Sequence, residues 1–199
     1  MLLSLSRKFI FVANVKAAST SIEAALADFA EIRVRKTEFG KHNGLTAISA
    51  DYPWVRRYVP YEAFFVFGVM RDPVDHLLSL YNAHSGEDLK GSAMPTRGMP
   101  FDKFMDAWRK DNWQAEPQHW HFQDKHGRFK MSHVIDYDRV TSDFNDICVR
   151  LGFGDLRLKH LNTSPETLKR SDLTAAQIAR IEREYARDYE FLRDLPRAF

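Results

Sequence analysis

Cysteine is nearly absent: Cys148 is the only one in 199 residues. A single thiol excludes an internal disulfide framework and a multi-cysteine zinc site, and it suits a reducing, cytoplasmic compartment. Long apolar runs are missing as well. No stretch reaches the roughly 18 apolar residues that a membrane span requires. The run Phe9–Ala13, behind Arg7 and Lys8, is too short for a signal-peptide core, and the folded part is expected to begin near residue 8. Charge of one sign is also lacking, because 29 Lys+Arg against 27 Asp+Glu leave a net charge of +2. That balance argues against nucleic acid or another bulk polyanion as partner, so any anion site must be local. Repeats and low-complexity stretches are absent.

What is present suits one globular domain over residues 1–199, with 44% apolar and 28% charged residues. Short apolar runs alternate with helical patterns. Phe9–Ala13 and Phe64–Met70 read as strands buried on both faces, Ser132–Asp136 as a third, and Ile32–Lys36 as a more exposed one. Helical spacing marks residues 20–30, 73–84, 101–108 and 140–151, with Gly152 placed to end the last of these. Thr174 and Gln177 form a capping box before a C-terminal helix, with Leu173 and Ile178 spaced as a staple. The alternation predicts an α/β fold with a central, mostly parallel sheet flanked by helices, and a ligand at the carboxyl ends of its strands. Residues 85–100 have no periodicity and carry Gly86, Gly91, Pro95, Gly98 and Pro100. A loop this long in a compact domain is usually functional.

Two anion signals follow two of the strands. Lys16, Ala17, Ala18, Ser19, Thr20 and Ser21 join the first strand to a helix. A helix start offers free N–H groups and a positive dipole end, and Lys16 adds a compact charge. The plainer alternative is that Ser19 merely caps the helix. After the strand at 64–70 comes Arg71, then Asp72 and Pro73 as N-cap and first helical residue, then Ser79 two turns on. A guanidinium fork beside a hydroxyl makes a second anion pocket, unless Arg71 simply pairs with a carboxylate. Two such sites suit one ligand with two separated phosphates. Neither is a Walker A loop, since no G-x-x-x-x-G-K-[ST] occurs.

In these residues the chain resembles the sulfotransferases that use 3′-phosphoadenosine 5′-phosphosulfate (PAPS), and most closely their carbohydrate (Golgi-type) branch and its soluble bacterial relatives. Val15–Ile22 is similar to the 5′-phosphosulfate loop, and Arg71-Asp72-Pro73 with Ser79 to the 3′-phosphate motif. The likeness continues through Val134–Asp138 with Asp143-Phe144, Leu161–Ser164 and Tyr185–Leu192. Val15 stands where the family usually has proline, Ala18 and Ser19 where many members have glycine, and His76 where many have a second arginine. The resemblance implies a P-loop-like nucleotide-binding (sulfotransferase) fold. It also implies PAPS as sulfuryl donor, its desulfated form (PAP) as product, and an acceptor hydroxyl, of a carbohydrate in that branch. Lys16 to Ser21, Arg71 and Ser79 are then the cofactor-binding residues.

Sulfuryl transfer requires in-line positioning and neutralisation of the departing phosphate, the role expected of Lys16. No metal is needed in principle. The acceptor hydroxyl benefits from a general base, and His42, between Gly40 and Gly44 after the second strand, is the first candidate. A surface histidine is the alternative there. His84 is the second candidate, followed by Glu87 or Asp88 in the 85–100 loop, which is expected to serve the acceptor. His119 and His121, with Asp124 and His126, are interleaved with Trp120 and Phe122 and read as structural. Tyr52, Trp54, Arg56, Arg57 and Tyr58 read as a half-buried helix surface. Two other readings stay open: a nucleotide-dependent kinase of related architecture, and a nucleotide-binding protein that has lost catalysis.

Overall fold

Phe9–Val12 and Phe65–Met70 lie side by side at the centre of a five-stranded sheet, because both are apolar on both faces. The computed structural model describes residues 1–35, 37, 40–86, 95–154, 156–159, 161 and 166–194. Its strands are β1 (Leu2–Ser4), β2 (Phe9–Val12), β3 (Ile32–Arg33), β4 (Phe65–Met70) and β5 (His133–Asp136). They are ordered β3-β1-β2-β4-β5. β2, β4 and β5 run parallel, while β1 is antiparallel to both β2 and β3.

The sheet is therefore mixed and departs from the expected, mostly parallel one at β1 alone, since β2, β3, β4 and β5 point the same way. It also begins at Leu2 and not near residue 8, with Leu2, Leu3 and Ser4 fully buried. The turn from β1 to β2 explains both differences. Residues 5–8 make a hairpin too short for a parallel crossover, with Lys8 at φ 54°, and Glu31 accepts hydrogen bonds from the Leu5 and Ser6 amides there. A three-residue strand carries too little periodicity to be read from sequence. The exposed strand expected over 32–36 is confined to Ile32 and Arg33; Lys36 lies outside the described residues.

The helices are α1 (Ser19–Leu26), α2 (Leu45–Asp51), α3 (Val55–Tyr58), α4 (Pro73–Ala83), α5 (Phe101–Lys103), α6 (Val140–Arg150), α7 (Ala175–Glu184) and α8 (Ala186–Asp194). Phe9, Phe11 and Phe67 pack on one face of the sheet against Ile22 and Leu26 of α1 and Phe144 and Ile147 of α6. Ile10, Val12 and Val66 pack on the other face with Phe122 and Val134. Each such buried side chain contributes roughly 1.5–3 kcal/mol relative to exposure. The stripe Phe101, Phe104, Met105 and Trp108 is core, continuing α5 as a π-helical turn against Leu77 and Leu80 of α4 and Ile181 of α7. Gly152, at φ 70°, ends the turn after α6. Thr174 and Gln177 form the expected capping box, with Leu173 and Ile178 in one cluster.

One surface differs from expectation. The aromatic segment around α3 is more exposed than a half-buried helix, with Trp54 at 41% and Tyr58 at 75%. α3 has only four residues and turns a single apolar side chain, Val55, into the core. Among the described residues, no helix is long and apolar enough to cross a membrane.

Candidate active site

A cavity of about 750 Å³ opens at the carboxyl ends of β2 and β4. Its wall includes Lys16 to Ser21, His42, Arg71 and Ser79, so the structure brings together every site residue singled out from sequence apart from the alternative bases.

The first wall is the turn from β2 into α1. Lys16 and Ala18 both have φ 53°, the left-handed region that favours glycine. Holding them there turns the chain sharply into the helix. The N-cap is Ala18 and makes no side-chain cap, so Ser19 is not the cap; it is the first helical residue. The N-cap residue itself thus supplies no side-chain acceptor for the first N–H groups of α1. Burial, and after it repulsion from Arg71, lowers the Lys16 pKa below its ordinary value. Lys41 clamps the next turn, donating to Thr20 Oγ1 at 2.8 Å and pairing with Glu23 at 2.9 Å.

The second wall is the turn from β4 into α4. Asp72 accepts from the Val74 and Asp75 amides at 2.9 and 3.3 Å, and Pro73 opens the helix, as the sequence predicts. Arg71 leans over the Tyr137 ring, 4.3 Å from its centroid. Among the described residues no carboxylate pairs with Arg71, and its buried Nε makes no hydrogen bond. Asp72 is instead engaged by Arg170 at 3.0 Å, which also reaches Asp75 at 3.3 Å. Among the described residues Arg71 is thus not neutralised by a carboxylate.

His42 stands between these walls. Its Nδ1 lies 2.8 Å from the Ala13 carbonyl, which only accepts, so Nδ1 carries the proton and Nε2 the lone pair. Burial lowers its pKa, partly countered by that hydrogen bond and reinforced by Lys41, so the ring is neutral at pH 7. Gly44 permits the approach of this segment, since a Cβ there would sit 3.1 Å from the His121 backbone.

His84 is not on the cavity wall; its Nε2 faces Gln114 Oε1 at 3.3 Å and its Nδ1 is buried. His76 is 3% exposed and lies off the wall, with burial pushing its pKa down to about 3, so this neutral ring does not replace a phosphate-binding arginine. His119 Nδ1 is 2.6 Å from Asp188 Oδ1, a buried structural pair, and no group of three metal-binding side chains occurs among the described residues. Glu87, Asp88, Lys90 and Asn162 to Ser164 lie outside the described residues. The described part of 85–100 does not line the cavity; Ser85 and Thr96 tie it to α4 through the Asn82 and Tyr81 carbonyls.

Sequence reasoning gave the third wall no binding role, although Tyr137 and Leu161 lie in segments that carry the family likeness. Lys159, Leu161, Leu168, Lys169 and Arg170 line the cavity, together with Tyr137. Leu168 is fixed by Asn82, whose Nδ2 donates to the Leu168 carbonyl at 2.9 Å and whose Oδ1 accepts from the Leu168 amide at 3.0 Å. The basic residues 159, 169 and 170 were the available signal, but nothing local ties them to the two anion turns.

A family model described as "Sulfotransferase family" matches residues 3–193. No curated protein and no solved structure gives a match. The chain belongs to the sulfotransferase family.

Proposed function

We propose that this member of the sulfotransferase family moves the sulfuryl group of PAPS to an acceptor hydroxyl, that of a carbohydrate, and releases PAP. One observation carries the donor assignment: Lys16 and Arg71, whose like charges repel, face one cavity with no carboxylate on Arg71 among the described residues. Such a pair calls for an anion, and the two turns offer separate places for two phosphates. In this reading the turn from β2 into α1 is the P-loop-like element and holds the 5′ end through Lys16, the amides of 17–21 and the hydroxyls of Ser19 to Ser21. Arg71 and Ser79 hold the 3′-phosphate. His76 takes no part.

The donor brings the activated sulfuryl group, and the protein's residues supply position and charge. Lys16 and the α1 amides neutralise the phosphate that departs as the S–O bond breaks. His42 Nε2 takes the acceptor proton, because Nδ1 is held protonated by Ala13. His42 is preferred to His84 because only His42 reaches the cavity. The carbohydrate acceptor rests on the resemblance to that branch, and the acceptor-side role of the 85–100 loop on its length and its place after α4, its described residues standing off the cavity wall. Family membership favours this reading over a kinase.

Calorimetry tests the donor site. PAP should bind at least tenfold tighter than AMP, which lacks the 3′-phosphate, and Arg71→Ala should cost PAP about 2–5 kcal/mol with little effect on AMP. Equal affinity for PAP and AMP would remove Arg71 and Ser79 from the site.

A further inference from the structure

Gln118 lies 1% exposed at the start of a 3₁₀ turn, Gln118–Phe122, and belongs to neither anion turn. Its side chain nonetheless bonds to both. Gln118 Nε2 donates to the Arg71 carbonyl at 2.7 Å, and Oε1 accepts from the Arg71 amide at 3.0 Å. The same Oε1 accepts from Asn14 Nδ2 at 3.1 Å. Asn14, also 1% exposed, donates to the Val69 carbonyl at 3.1 Å and accepts from the Val15 amide at 2.8 Å. The ladder of β2 and β4 is paired as far as Val12 and Gly68, and beyond it these two amides continue the cross-strand bonding. Asp188 of α8 holds the far side, accepting from the Gln118 and His119 amides at 2.9 and 3.0 Å.

We infer that Gln118 is a positioning residue that sets the separation of the two anion turns, so that one ligand engages both at once. Each turn keeps its own groups without Gln118: the α1 start and Lys16 on one side, Arg71 and Ser79 on the other. What Gln118 adds is their mutual placement, which decides whether the second phosphate binds as part of an already bound molecule. In catalytic sites a misplacement of about 1 Å can cost about two orders of magnitude in rate, which sets the scale on which such spacing matters. The inference rests on the two-phosphate reading above.

Gln118→Met keeps the volume and removes all three bonds. Affinities for PAP, AMP and adenosine 3′-monophosphate are measured by calorimetry on the full chain, with thermal unfolding alongside. The variant should lose about tenfold or more of its PAP affinity while each monophosphate changes less than about threefold. If Gln118→Met does not fold, Asn14→Ser, which breaks the bridge from the other side, should show the same loss of PAP-over-AMP preference. A folded variant that keeps the wild-type preference, at whatever melting temperature, overturns the inference and leaves the two-phosphate reading standing. A wild type without that preference overturns both.

Discussion

At the residue scale the proposed reaction gives the cavity a leaving-group side at Lys16 and an acceptor side at His42. Lys16 acts on charge that develops whichever acceptor is used, so Lys16→Ala should lower kcat for alcohols and acidic phenols alike. His42 acts only where the acceptor needs help to lose its proton. His42→Ala should therefore cost about 10²–10⁴ in rate with an aliphatic hydroxyl and far less with an acidic phenol. Steady-state kinetics on the two acceptor classes check this split; uniform losses from His42→Ala would assign the ring to positioning. His76 makes a different prediction. Burial pushes its native pKa down to about 3, whereas the unfolded chain titrates it near the ordinary histidine value of 6.5. Between those values the unfolded state binds the extra proton, so stability is full above about pH 6.5 and falls as pH drops, by up to about 1.4 kcal/mol per pH unit. Urea unfolding at about pH 7 and about pH 5 should show a shallower pH slope for His76→Gln than for wild type.

Helices and strands with strong local signals were legible at the element scale, and long-range wiring was not. α4 is readable because Asp72 and Pro73 announce its start and an apolar face follows. β1 is not, because its pairing with β2 and β3 alone makes Leu2–Ser4 a strand. The two strand-to-helix turns were legible for the same reason as α4: Lys16 and Arg71 each sit between a buried strand and a helix start. Asn14 and Gln118 were not, since a side-chain amide gains meaning only from a partner distant in sequence. Gln118 meets Asn14 across 104 residues and Arg71 across 47. Phe122, which ends the Gln118 turn, shows how that turn is seated. It packs over Gly68 in the middle of β4, where a Cβ would come within 2.6 Å of the Phe122 ring and 3.1 Å of the Val12 carbonyl. Phe122 is fully buried and has little room to retreat. Gly68→Ala should thus destabilise the fold by about 1–3 kcal/mol in chemical denaturation, and an unchanged midpoint would show that the turn is free to shift.

For the molecule as a whole, three separate stretches of chain meet at one end of the sheet: the turn into α1, the turn into α4, and the described residues of 156–170. Arg170 joins the second to the third through Asp72 and Asp75, Ser21 approaches Leu161 at 3.4 Å, and Gln118 links the first two. A ligand spanning the cavity should stabilise all three together. At a hundredfold excess over its Kd, PAP should add about 2.7 kcal/mol, or roughly 5–10 °C in Tm for a chain of this size. Hydrogen exchange locates the effect. With PAP, amides at the start of α1, the start of α4 and residues 166–170 should slow together, while the hairpin between β1 and β2, at the other end of the sheet, should not change. AMP should slow the α1 start and leave the α4 start near its free rate, because it carries no phosphate for Arg71. If PAP protects the α1 turn alone, the ligand engages one anion site and Arg71 serves another. If AMP protects all three, closure of the third wall depends on the nucleoside and not on the 3′-phosphate.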